Sequence, residues 1–189
     1  MPDSPAFTAL LFGLRGCLVD VDKPSNFPHP TPGALQTLDW LNQQRVPCAW
    51  LDELSGADAE HMARPLPDWI KAQHRAPAPW PAPDACWQAL MTLKTRTLDG
   101  CVLVSGEPRL LQSGLNAGLW TIGLATCSSL CGVDSQQWQA LTPQEQERKR
   151  GKATLQLFAL GVHSVIDHLE SLSDCLADIT QRRLKGEKP

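Results

Sequence analysis

Short apolar runs of strand length alternate with helix-patterned segments along most of this 189-residue chain, and that alternation limits its fold more than any other feature. The runs are the stretch from Phe7 into a Gly13-Leu14-Arg15-Gly16 turn, Val46 to Leu51, Cys101 to Ser105, Trp120 to Ala125 and Ser164 to Asp167. The helical segments between them have recognisable ends. Thr31-Pro32-Gly33 reads as a start, with Thr31 as N-cap and Leu35, Leu38 and Leu41 as the apolar face. Ser55-Gly56 opens a helix to about Arg64, Pro83-Asp84 one to about Thr95, and Pro108 one that Gly118 stops. Thr142-Pro143-Gln144-Glu145 combines a cap, a proline at the first helical position and a first-turn carboxylate, and predicts a helix to Leu160. Leu172 to Leu184 makes the last one. Strands alternating with helices require right-handed crossovers and a sheet covered on both faces, so the predicted fold is α/β, a three-layer, doubly wound parallel sheet.

One stretch departs from this pattern. Residues 65–83 are rich in proline, which fixes φ and removes a donor, so they read as a connector within a single domain spanning residues 1–189. A short strand is expected there around Asp68 to Ala72. Trp80 and Trp87 are expected to pack.

The 42% hydrophobic content suffices for one core. A net charge of -3, with acids and bases interspersed, offers no stripe that could neutralise a phosphate backbone, so a nucleic-acid partner is not expected. The N-terminus has no basic region, and its apolar run breaks at Gly13 and Arg15. That argues against a signal peptide or membrane span and for a cytoplasmic protein. The seven dispersed cysteines read as reduced thiols, and Cys127 with Cys131 lacks the further ligands of a zinc site. His163 and His168 flank the last strand and read as structural. His29, His61 and His74 lie in or near loops without partner spacing.

In a doubly wound sheet the ligand crevice lies outside the carboxyl ends of the strands. The loops there make Arg15, Gly16, Asp52, Glu53, Ser105, Gly106 and Glu107 the binding candidates.

Several segments carry a resemblance: Leu115-Asn116-Ala117-Gly118-Leu119-Trp120-Thr121-Ile122-Gly123, Ser128-Ser129-Leu130, Leu141-Thr142-Pro143, Ala159-Leu160-Gly161-Val162-His163, Val165-Ile166-Asp167 and the closing Arg183-Leu184-Lys185-Gly186. Together they resemble the C-terminal third of the phosphonoacetaldehyde hydrolases, a family of the haloacid dehalogenase (HAD) superfamily. The resemblance is specific from about Cys101 onward and colinear before it. It implies a Rossmann-like core with strand order 3-2-1-4-5-6 and four loop motifs. The family's nucleophile is an aspartate at the end of the first strand, held beside Mg²⁺. The matching position here is Gly13. Arg15 stands two residues on, where related phosphatases keep an acid/base aspartate, while Gly16, Leu18, Val19 and Asp20 keep the pattern. The hydroxyl-bearing second motif reads Leu51-Asp52-Glu53-Leu54, and the cation of the third falls on Trp80. The acidic fourth reads Gly106-Glu107-Pro108, which leaves Glu107 as the retained metal-ligand candidate. The family's helical cap, with its Schiff-base lysine, would follow the first loop; the eleven residues from Val21 to Thr31 are too few to hold one.

These coincident losses predict a capless HAD-like domain without hydrolase activity or cofactor, with Arg15 pairing Glu107 and Asp52 across the crevice. The alternative is a divergent hydrolase of a small phosphorylated or phosphonate substrate, with Cys17, Asp20 or Asp52 as nucleophile, Arg15 as anion clamp and Mg²⁺ as cofactor. Binding without catalysis is the third reading. Arg15, Ser105 and backbone donors around Gly16 and Gly106 would hold a small anionic metabolite, or an aromatic rim of Trp50, Trp69 and Trp80 would take a protein partner. A homodimer is compatible with either.

Overall fold

The computed structural model describes residues 7–20, 28–73, 76–126, 129–133 and 135–189. Its strands are β1 (Ala9–Gly13), β2 (Cys48–Leu51), β3 (Lys71–Gln73), β4 (Cys101–Ser105), β5 (Trp120–Leu124) and β6 (Ser164–Ile166). They form one sheet in the order β3-β2-β1-β4-β5-β6, every neighbour paired in parallel, which is the arrangement the resemblance implies. The helices are α1 (Ala34–Gln43), α2 (Gly56–Ala63), α3 (Asp84–Thr92), α4 (Pro108–Asn116), α5 (Ser135–Ala140), α6 (Pro143–Leu160) and α7 (Leu172–Leu184).

Strand position explains how legible each strand is in the sequence. β1, β2, β4 and β5 are buried along their whole length, since helices cover both faces of a parallel sheet, and they read as unbroken apolar runs. β3 and β6 are edge strands of three residues and only partly buried. The weak signal of β3 is why its strand lies at Lys71–Gln73 and not at the expected Asp68 to Ala72. Alternate residues of each strand feed opposite cores. Leu10, Phe12, Trp50 and Val104 face the side packed by Leu38 and Leu176, while Leu11, Leu51 and Leu103 face Leu90 and Leu110.

The caps decide the helix ends. Ser55 accepts from the amide of Asp58, and Thr142 with Glu145 forms the expected capping box, with Gly161 in the left-handed region as the stop. The start of α1 differs from expectation. Gly33, at φ 80°, is the N-cap, and a Cβ there would lie 2.5 Å from the Glu170 amide nitrogen. Thr31 instead turns its hydroxyl to the buried carbonyl of Cys17, tying α1 to the turn after β1. Packing against the segment around Leu169 rotates α1 so that Ala34, Thr37, Leu38 and Leu41 are buried, with Thr37 Oγ1 donating to the Leu169 carbonyl. Leu35 is left 37% exposed. Trp87 also departs from the packing expected of it: it is 46% exposed, held by its Nε1 donating to the Ala117 carbonyl at 3.4 Å.

His163 supplies a structural contact with a pH signature. Its Nδ1 accepts from the Thr121 amide at 3.0 Å, its ring meets Trp120 edge-on, and burial followed by the charge of Arg182 holds its pKa below the ordinary value. An unfolded histidine titrates near pH ~6.5, so this contact stabilises the fold fully above that pH and is lost as pH falls through the lower folded value. Urea unfolding at pH ~7.5 and ~5.5 is expected to show a fall in stability that His163→Asn flattens, because the Asn amide cannot take up the proton.

Among the described residues no helix is long and apolar enough to cross a membrane. The described cysteines are free thiols. Burial pushes Cys48 up to about 12 and Cys86 and Cys101 up to about 11, which suits packing and not nucleophilic work. Cys127 and His74 lie outside the described residues.

Candidate functional site

A crevice of about 170 Å³ opens at the carboxyl ends of β1, β2 and β4, where the sheet order predicts it. The turn after β1 forms its floor. The Leu14 carbonyl accepts from both the Leu18 and Val19 amides, and Gly16, at φ 68°, donates back to the Val19 carbonyl. This compact turn projects Arg15 across β2. Its guanidinium grips Asp52 with two bonds, Nε to Oδ2 at 2.9 Å and NH2 to Oδ1 at 2.8 Å, and the Leu54 amide adds a third to Oδ1 at 2.9 Å. The Asp52 side chain is 3% exposed and that of Arg15 39%. The hydrogen bond to Asp52 is the main reason the Arg15 pKa is raised.

That geometry corrects one expectation. The expected pairing of Arg15 forms with Asp52, whereas Glu107 makes no bond to it in the structure and adds only a longer-range attraction. Glu53 Oε1 accepts from the Trp80 amide at 2.8 Å and Oε2 from Arg109 NH1 at 3.0 Å. Glu107 caps α4: Oε1 accepts from the Arg109 amide at 3.2 Å and Oε2 from Ser129 Oγ at 3.3 Å. Its own amide donates to Ser105 Oγ at 3.0 Å.

Arg109 is the crevice residue that sequence reasoning missed. It begins a stripe of α4, with Ser113 and Asn116, whose side chains donate to the carbonyls of Trp80, Ala82 and Pro81 and strap the proline-rich connector to the helix. The spacing of three polar residues at one helical face was visible; its target was not. Trp80, where the third motif's cation is expected from the sequence, is reached at its main chain by the Arg109 guanidinium from α4.

Gly13 has no room for a larger residue. A Cβ there would sit 2.6 Å from Ser105 Oγ and 3.3 Å from Leu110 Cδ2, and Ser105 is fully buried. The other candidates scatter. Cys17 is fully buried with Sγ against the Val104 carbonyl at 3.4 Å, and Asp20 lies beyond the turn, outside the crevice lining. No aromatic rim forms at the crevice, because Trp50 and Trp69 pack into the core on the α1 side and Trp80 alone reaches the lining. Of the backbone donors expected to bind an anion, the Gly16 amide is taken by Val19. The residues do not fit Mg²⁺ either. Every crevice carboxylate already accepts from nitrogen or hydroxyl donors, and the Arg15 guanidinium would repel the cation. Among the described residues no group of three or more His, Cys, Asp or Glu is placed to hold a metal ion.

No family model matches the chain. Phosphonoacetaldehyde hydrolase of Salmonella enteritidis PT4 is 30% identical over 179 residues, which cover 90% of this chain and 66% of that protein. The chain thus spans just under two thirds of the length of the curated relatives it matches. A crystal structure 58% identical to it superposes with a TM-score of 0.93 and covers 97% of this chain and 100% of that one. A phosphonoacetaldehyde hydrolase-like protein from Oleispira antarctica, 26% identical, superposes with a TM-score of 0.77 over 85% of this chain and 60% of that one. With sheet order, loop positions and these likenesses in agreement, the chain belongs to the haloacid dehalogenase superfamily, among its phosphonoacetaldehyde hydrolase-like members.

Proposed function

We propose that this chain is a phosphonatase-related HAD domain that does not hydrolyse, and whose crevice serves binding. The observation that carries the reading is the packing at the nucleophile position: Gly13 bears no carboxylate, and the fully buried Ser105 hydroxyl occupies the space one would need. Hydrolysis through an aspartyl intermediate needs an acid aimed at phosphorus and a cation beside it. Here the crevice acid Asp52 is held by two bonds from Arg15. Other groups that could serve a relocated reaction are engaged as well, since Cys17 is buried against the Val104 carbonyl and Glu107 caps α4. The seven residues separating Asp20 from Pro28 support the capless reading, and with it the absence of Schiff-base chemistry on a cap lysine.

The test is a turnover assay on the purified chain with Mg²⁺, using phosphonoacetaldehyde and a panel of phosphate monoesters. The expected rate is that of the buffer. Sustained Mg²⁺-dependent turnover that Asp52→Ala abolishes would overturn the reading in favour of the divergent hydrolase.

A further inference from the structure

Beside the crevice, past the Glu53–Arg109 pair, a larger groove of about 750 Å³ opens at the carboxyl ends of β2 and β3. Its volume falls among those of small-molecule sites, and it lies at the end of the sheet where α/β folds bind ligands. One wall is apolar. It runs from Ala76 to Trp80, and its far end is held where the carbonyls of Trp80, Pro81 and Ala82 accept from Arg109, Asn116 and Ser113. The opposite wall is the turn from Leu54 to Gly56 at the start of α2. A Cβ added to Gly56 would meet no atom within 4 Å, so this wall faces open space.

Arg109 stands at the boundary of groove and crevice with its side chain 54% exposed. Its bonds to Glu53 and Trp80 use two of the guanidinium's N–H donors and leave others for a ligand. The acids that share the groove, Asp52 and Glu53, are each already paired with a guanidinium, so their charge is offset. The charge of Arg109 is offset by Glu53 in the same way, and what remains are its unused guanidinium N–H donors at one end of an apolar slot, the complement of an anionic head on an apolar body.

We propose that this groove binds a small organic acid, its carboxylate or phosphonate on Arg109 and its apolar body between the Ala76–Trp80 wall and Gly56. The site needs neither a nucleophile at Gly13 nor a metal, so it goes beyond the non-hydrolytic reading and does not depend on it.

The test titrates phenylphosphonate, phenylacetate and inorganic phosphate into the isotope-labelled chain and follows amide shifts. Phenylphosphonate is expected to move Gly56, Ala76 and Ala78 saturably, with inorganic phosphate weaker by about tenfold or more for lack of an apolar body. Arg109→Gln removes the anchor and is expected to weaken binding by about tenfold, but it also cuts the strap. Gly56→Leu is the cleaner variant, because it adds bulk at a groove-lining residue whose Cβ would meet no protein atom within 4 Å; it is expected to weaken both aromatic acids by about tenfold or more while leaving the unfolding midpoint in place. The proposal is overturned by any of three results: no saturable shift up to about 20 mM, phenylphosphonate affinity unchanged in Gly56→Leu, or equal affinity for inorganic phosphate. Turnover in the hydrolase assay would sink the non-hydrolytic reading and leave this result untouched.

Discussion

Gly13→Ala is expected to lower the free energy of unfolding by about 1–3 kcal/mol, a large loss for one methyl group, and Gly13→Asp by more. The cause is the 2.6 Å approach of a residue-13 Cβ to Ser105 Oγ, with Leu110 Cδ2 behind it at 3.3 Å. Ser105 cannot simply rotate away, since its Oγ is fully buried and accepts the Glu107 amide. Leaving that amide without a partner would itself cost about 1 kcal/mol or more. A double-mutant cycle with Ser105→Ala isolates the effect. Both single changes destabilise, but the pair is expected to be more stable than their sum predicts by about 1 kcal/mol or more, because removing Oγ relieves the 2.6 Å approach and leaves the two at 3.3 Å, to the residue-105 Cβ and Leu110 Cδ2. Additive losses in urea unfolding would show that the two residues do not share the space. The same geometry makes a second expectation concrete. Restoring acids as Gly13→Asp with Glu107→Asp does not by itself rebuild a catalytic loop, because the carboxylate has no place to enter until Ser105 is also changed.

Arg15→Ala is the second large effect, expected at about 2–3 kcal/mol. Removing one partner of a buried pair strands the other charge, and the full penalty for that is about 3–5 kcal/mol. The lower figure allows for water reaching the 39% exposed Arg15 side of the pair. Asp52, at 3% exposed, keeps only neutral donors, the Leu54 amide at 2.9 Å and the residue-15 amide at 3.4 Å. The effect is directional. Asp52→Asn frees a guanidinium that can turn to solvent and retains an acceptor for Leu54, so it is expected to destabilise less than Arg15→Ala. Replacing both by leucine is expected to recover most of the loss, as exchange of an ion pair for apolar packing often does. Urea unfolding of the three variants tests the order; equal losses for the two single changes would mean that solvent already screens Asp52.

How far these features were legible follows the range of the interaction. The capping box at Thr142 and Glu145, the stop at Gly161 and the Ser55 cap are contacts over three or four residues, and each appears where the sequence places it. The glycine at position 13 and the cation at Arg15 were legible in the same way, in the turn that ends the first apolar run. The partner of Arg15 was legible only as far as two acids, Asp52 and Glu107. Asp52 and Glu107 both sit at strand ends beside the crevice, and only the register of β1 against β2, with Gly13 opposite Leu51, places Asp52 within reach. Thr31 failed as a cap for a related reason: its hydroxyl is claimed by the Cys17 carbonyl, fourteen residues back in the chain.

The chain by itself determined its class and, through family resemblance, its strand order, because hydrophobic period, end signals and motif frames are local properties of neighbouring residues. Tertiary structure alone decided that Ser105 closes the space beside Gly13, that Arg15 grips Asp52 and not Glu107, and that Arg109 reaches from α4 to Glu53 and Trp80. These contacts join segments 29 to 92 residues apart, and nothing in the spacing of such distant residues records which of them the folded sheet will bring together.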